Sequence, residues 1–291
     1  MPTSETVTSP KAADQVTGLD ALELGPKADK GALAGRVWRS AWPKLLAITI
    51  AVLAWQAVVW AQWKPEYLLP GPGAVLTELL DIVSTPDFWS GVQLTLTRAL
   101  SGFVLAVVIG TVVGVAVSRF APLRAAIGSL ITGLQTMPSV MWFPLAILLF
   151  QISESAILFV VVIGAAPSVA NGLISGIDYV PRTWLRVGQV LGLKGVAKYR
   201  HLILPAALPS FISGLKQGWA FSWRSLMAGE LLLTVPGALS IGVRMQNARD
   251  LVDAQAVLSY IIVVLIIGII IDALFNVADN AARKRWGLIS N

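Results

Sequence analysis

Six apolar runs recur along this 291-residue chain. Each is near the ~20 residues that carry an α-helix across ~30 Å of hydrocarbon. They fall at Leu45–Trp63, Ala99–Val117, Ala125–Phe150, Ala156–Ser175, Ala206–Val235 and Val257–Ala278. The bilayer core offers no water to a backbone N–H or C=O, so such runs must pair those groups internally and fold as helices. Composition agrees: 56% of residues are hydrophobic and 13% are charged, about half the usual charged fraction. This excludes a disordered chain and a collagen, and the absence of cysteine excludes a secreted disulfide scaffold. A water-soluble enzyme of this size is disfavoured. The expected fold is an all-α polytopic membrane protein with six transmembrane helices.

The third and fifth runs are longer than a span requires, and both carry prolines: Pro138 and Pro144 in one, Pro209 with Pro236 just beyond in the other. Kinked or partly embedded helices are predicted there. Irregular backbone at membrane depth is tolerated only against protein or a water-filled cavity, so these two are the candidate pathway helices. Residues 1–32, rich in Ser, Thr, Pro, Lys and Asp, read as a disordered cytoplasmic tail. Residues 33–42 leave an interfacial helix and a plain linker open. Residues 1–40 hold no apolar core behind a basic end, so no cleavable signal peptide is expected.

With the N-terminus inside, sixteen Lys and Arg fall on the cytoplasmic side and four outside, while Lys216 and Arg224 lie within the fifth run. That asymmetry places both termini in the cytoplasm. It also accounts for the net charge of +6 without a nucleic-acid partner. The outer segment Lys64–Thr97 is amphipathic, with Val75, Leu76, Leu79, Leu80 and Val83 at helical spacing. It predicts a helix that lies on the outer interface or caps the bundle.

Between the fourth and fifth runs, residues 181–205 form a long basic loop with a pattern of its own. Trp184, Val187, Leu191 and Val196 alternate with Arg186, Gly188, Gly192, Lys194 and Gly195. This predicts a short helix, a turn at Gly192 to Gly195, and a second helix leading into Leu204-Pro205. A helix projecting into the cytoplasm would dock a soluble partner.

The loop resembles the E-A-A-x3-G-x9-I-x-L-P signature of membrane permeases from binding-protein-dependent ABC importers of type I architecture. With Leu204-Pro205 aligned on the final Leu-Pro, Gly192 takes the central glycine and Leu202 the isoleucine position, without a gap. Arg186-Val187-Gly188 replaces Glu-Ala-Ala, which changes the charge offered at the contact. Leu69-Pro70-Gly71-Pro72-Gly73-Ala74-Val75, Leu134 to Ala146, and Gly214 to Glu230 are similar to elements of the nitrate, sulfonate and taurine group.

The resemblance implies a permease domain over 43–286 with a short tail at 287–291, in a bacterial cytoplasmic membrane. Its implied partners are ATP-binding cassette subunits, an extracytoplasmic binding protein and a second permease copy. It implies no cofactor in this chain and no catalysis by it, with ATP and Mg bound by the ATPase. The chain contains no G-x-x-x-x-G-K-[ST] phosphate loop, in agreement. The implied solute is aliphatic sulfonate first, then nitrate, taurine or bicarbonate, then a vitamin or pyrimidine precursor.

Candidate pathway residues follow from the long runs. Arg224 lies well inside the fifth, where a cation faces a cavity or a counter-charge. Glu230 sits ~240° around the helix from it, so the two do not share a face. Lys216 leans toward Arg224 or snorkels to the interface. Trp219 and Trp223 at i, i+4 line a pathway or pack, and Gln135, Thr136, Ser139 and Ser222 offer uncharged hydrogen bonds. Asp272 and Asp279 suggest a relay, against which Asp279 with Arg283 reads as a helix-end ion pair. His201 reads as an interface residue and Glu154 as solvated. The other class considered is a secondary transporter or proton-coupled channel using Arg224, Glu230 and Asp272. An intramembrane enzyme lacks the groups it would need.

Overall fold

The computed structural model of the chain describes residues 30–285. Most of the expected tail at 1–32, and all of 287–291, lie outside them. Every regular element among the described residues is a helix. The first, α1 (Lys30–Trp60), runs unbroken through Pro43, and its stretch Trp42–Trp60 is long and apolar enough to cross a bilayer. Residues 33–42, where a helix and a linker were both open, are continuous with the span in this helix. It belongs to a separate unit, residues 1–61; all that follows concerns residues 62–291.

The outer segment expected over Lys64–Thr97 holds two helices. α2 (Pro72–Ser84) is the amphipathic helix that the apolar spacing predicts. It caps the bundle: Val75 is fully buried, and the Ser259 hydroxyl of the last span donates to its carbonyl at 3.1 Å. Leu79 and Val83 pack toward Phe88, Ile241 and Tyr260, whereas Leu76 and Leu80 face outward. α3 (Pro86–Arg119) starts at Pro86 rather than at Ala99. The Thr85 hydroxyl accepts from the Phe88 N–H at 3.3 Å, and Pro86 fills the first turn. A cap followed by a proline at N1 starts a helix wherever it falls. Arg98, which lies just before the second apolar run, is therefore well inside a helix.

The third run is broken as its prolines predict. α4 (Ala121–Thr136) and α5 (Phe143–Phe150, preceded by the 3-10 turn Ser139–Trp142) meet at 106°. Pro138 bars Met137 from helical geometry, and Met137 takes φ −76°, ψ 129°. Then come α6 (Glu154–Asp178), α7 (Arg182–Val190), α8 (Gly195–Lys198) and a π-helical turn at Tyr199–Ile203. The chain ends with α9 (Leu204–Leu232), α10 (Ile241–Asp250) and α11 (Ala254–Arg285).

By length and apolarity α1, α3, α6 and α11 can each cross a membrane, and the bent α4–α5 pair makes a fifth. α9, at 29 residues, is ~44 Å long but less apolar, because it carries Lys216, Gln217, Arg224 and Glu230. A sixth span requires those groups to be sheltered by protein or water.

The core forms where α3, α6 and α9 pack, with Ile157, Val160, Val161 and Leu226 fully buried and Phe143 and Ala146 of α5 against them. In lipid there is no hydrophobic drive between helices, so association depends on close backbone approach. At Gly172 on α6 a Cβ would stand 2.5 Å from the Cα of Gly214 on α9. Any side chain at either position would force the helices apart.

Candidate functional site

The loop 181–205 folds as its pattern predicts. α7 ends in a paired cap: the Leu193 N–H donates to the Gly188 carbonyl at 2.9 Å and the Gly192 N–H to that of Gln189 at 3.0 Å. This is the Schellman arrangement, which needs a left-handed residue at its turn. Gly192 supplies it at φ +73°, and Gly195 repeats the left-handed geometry at φ +51° as the first residue of α8. Gly188 is buried against Leu202; a Cβ there would come within 2.8 Å of the Leu202 side chain. With Gly188 packed inward and the exposed turns at Gly192 and Gly195 reversing the chain, an apolar ridge is left outside. Val190 is 88% exposed, Leu191 70% and Val196 82%, with Trp184 and Val187 about half exposed. Arg186 and Lys194 are exposed on the same loop, Leu204 is half exposed, and Pro205 starts α9 beside them. An isolated chain pays to keep such a ridge in water, as a contact surface does.

The pathway candidates on α9 separate by face. Ser213, Gln217 and Arg224 are exposed and lie within ~40° of one another around the axis. Arg224 rests over the Phe221 ring at 5.7 Å and has no carboxylate partner among the described residues. Trp219, Ser222 and Trp223 occupy the buried face. The two indoles stack 6.4 Å apart, with Phe103 edge-on to Trp219. At the broken span Gln135 donates to Ser168 at 3.2 Å and accepts from Asn171 at 3.4 Å, bridging α4 to α6. Thr136 is exposed and Ser139 half-buried at the break. Lys216 does not snorkel: it pairs with Asp272 at 3.1 Å and donates to Asn276 at 2.7 Å, joining α9 to α11. Asp279 pairs with Arg283 at 3.0 Å, as a helix-end pair.

At the end of the bundle away from the loop, Glu230 has no exposed surface and Arg98 has 4%. Arg98 Nη1 donates to Glu230 at 3.0 Å, and its Nε donates to Glu154 at 2.7 Å. Glu154 is thus paired rather than simply solvated. The Thr95 hydroxyl donates to Glu230 at 3.0 Å, and the Gly242 N–H at the start of α10 donates to the same carboxylate at 3.1 Å. The Ile241 N–H donates to Thr95. Burying a charge is tolerated only when it is paired and hydrogen-bonded, and here every element has a partner. Glu230 and Arg98 together therefore fasten α3, α6, α9 and α10, and Glu230 is not open to a solute. Thr95 and Arg98 were missed from sequence. A cation flanked by an apolar run was the available signal, masked by the late start given to that helix.

The comparisons with known proteins agree with this architecture. Solved structures of the inward-facing MetNI methionine ABC transporter superpose with a TM-score of 0.58 at 18% identity, over 68% of this chain and 99% of that chain. They support the fold. The taurine transport system permease protein TauC of Escherichia coli K12 is 27% identical over 247 residues, covering 81% of this chain and 88% of its own. The nitrate import permease protein NrtB of Synechocystis is 27% identical over 236 residues, 78% of this chain and 84% of its own. The putative aliphatic sulfonates transport permease protein SsuC of E. coli K12 is 28% identical over 237 residues, 81% of this chain and 87% of its own. Such subunits are the non-catalytic membrane components of ABC importers. Residues 88–284 match the family of binding-protein-dependent transport system inner membrane components, and the chain belongs to that family.

Proposed function

We propose that this permease serves an ATP-driven importer of a small anionic solute, aliphatic sulfonate first, with nitrate, taurine or bicarbonate next. A vitamin or pyrimidine precursor is a more distant choice. The observation that carries the ATP-driven reading is the exposed ridge Val190-Leu191-Val196 on a loop fixed by left-handed glycines. A separate ATPase subunit docks there, binds ATP and Mg, and moves the bundle through alternating access. An extracytoplasmic binding protein delivers the solute at the opposite end. A second copy of the chain encloses the path, and both termini lie in the cytoplasm of a bacterial cell.

Arg224 supports the anionic reading. It is a guanidinium on the polar stripe of α9 without a carboxylate partner among the described residues, and its planar fork suits the oxygens of a sulfonate or nitrate. The relatives named for taurine, nitrate and sulfonates handle solutes of that kind. The secondary-transport reading is weakened, because Glu230 and Asp272 are both held in ion pairs.

Mild-detergent co-purification from native membranes, with mass spectrometry of the associated chains, tests the class. A stoichiometric subunit with a nucleotide-binding phosphate loop is expected. A chain that purifies alone and moves solute on an ion gradient would overturn the reading. Arg224→Ala should lower sulfonate uptake about tenfold, the loss expected of one charge-assisted contact, at unchanged complex yield.

A further inference from the structure

Between α3, α4 and α6 lies a cavity of about 310 Å³, open to one side and lined almost entirely by aliphatic groups. Ile109 and Val113 form one wall, Ile127 and Ile131 a second, and Ala166 and Ala170 a third. Across from the long side chains of α4, the α6 wall narrows to Ala166, Pro167 and Ala170 beyond Val162 and Ile163, and the short groups leave the gap unfilled. Water gains nothing there, since a buried water needs two or more polar partners. What fits is an alkyl chain.

The rim decides which one. Arg119 ends α3 and Arg124 opens α4, with exposed Phe120 between them. Arg124 shares a face of α4 with Ile127 and Ile131, and lies ~4.5 Å along the axis from Ile127. Arg124 also pairs with Asp178, the last residue of α6, so the rim is at the same end of the bundle as the loop 181–205. Arg119 is exposed and has no carboxylate partner among the described residues. Arg119 together with the Arg124–Asp178 pair leaves one net positive charge at the end of an aliphatic slot between spans, the complement of an anionic headgroup carrying an acyl chain.

We propose that this cavity holds one acyl chain of an anionic phospholipid from the surrounding leaflet, with the lipid phosphate against Arg119 and Arg124. This differs from the lipid contact of any span, because it fixes both a position and a headgroup charge. It also stands apart from the transported solute.

The test uses the full chain in nanodiscs of phosphatidylcholine doped with a photoreactive phospholipid, its diazirine at the acyl terminus. Phosphatidylglycerol and phosphatidylcholine probes are compared at equal fraction. Adducts mapped by mass spectrometry should concentrate on the cavity walls. The anionic probe should exceed the zwitterionic one by about fivefold, the factor one well-placed arginine supplies. Arg119→Gln with Arg124→Gln should erase that preference, and Val113→Phe should remove the wall adducts while leaving labelling of α11 unchanged. Equal labelling by the two probes, or adducts spread evenly over α3 and α11, would overturn the proposal in favour of annular lipid. Cross-links from these walls to a second copy, without lipid adducts, would overturn it in favour of a protein contact.

Discussion

At the end that carries the loop 181–205, Val190, Leu191 and Val196 stand in the open, held there by glycine turns. At the opposite end Glu230 and Arg98 are buried in a hydrogen-bonded network of five residues from four helices. Each end places residues where their solvation is least favourable, and each does so by backbone geometry. The loop end is built from local geometry, a Schellman turn closed within a few residues. The far end is built from contacts such as Thr95 with Glu230, 135 positions apart. A local device can keep its shape when a partner leaves, whereas a long-range network holds only if all its helices stay together. That difference suits the proposed roles of the two ends, docking at the loop and a block that moves as one.

The largest effect should come from the far end. Glu230→Ala leaves Arg98 buried with only Glu154, and breaking one side of a buried pair costs about 3–5 kcal/mol. A marked drop in detergent-solubilised thermal stability is expected, with much of it restored in Arg98→Met/Glu230→Met. If the single variant unfolds at the wild-type temperature, the contrast between the ends fails. Next is Gly192→Val, which forces a β-branched residue to φ +73° at a cost of about 1–3 kcal/mol. The chain should still insert in the membrane while recovery of the ATPase subunit falls; normal coupled uptake would remove the turn from the docking device.

A sharper version leaves the backbone alone. Leu191→Asp changes an exposed side chain, so stability should move by less than about 0.5 kcal/mol, yet ATPase association should be lost. Association at wild-type strength would mean the ridge serves another contact. The smallest effect concerns Glu78 on α2, outside the spans. Burial first, then Asp253 and Asp81, hold its carboxyl above the usual carboxylate range. A carboxyl whose folded pKa exceeds its unfolded one binds its proton more readily when folded. Stability is therefore full below the unfolded pKa and declines as pH rises through the folded one. Wild-type melting temperature should fall slightly across that mildly acidic window, and Glu78→Gln should flatten the dependence; identical pH profiles would show that the group is not perturbed.

Much of the fold was legible because membrane helices announce themselves by length and apolarity, which need no partner to read. The break at Pro138 was legible for the same kind of reason: proline acts on its immediate neighbours. The loop was legible because Gly192, Leu202 and Leu204-Pro205 carry a fixed spacing. The start of α3 was not recovered from the apolar run, although Thr85-Pro86 was a local signal for it. The role of Glu230 was not legible either, since its partners Thr95 and Arg98 lie far along the chain. The sorting of α9 was hidden in another way. Spacing shows that Ser213, Gln217 and Arg224 share a face and that Trp219 and Trp223 share another, but not which face meets α6.

By itself, then, the sequence determined that the chain is helical and made for a bilayer, where its third span breaks, and the turns of the loop 181–205. These follow from local rules: the pairing of backbone groups in hydrocarbon, the fixed φ of proline and the left-handed freedom of glycine. Only the tertiary structure decided that Glu230 is fastened rather than available, that Lys216 bridges to Asp272, and that an aliphatic cavity opens beside Arg119 and Arg124. Those outcomes depend on how each helix is rotated about its axis against its neighbours, and that rotation is fixed by packing between distant segments.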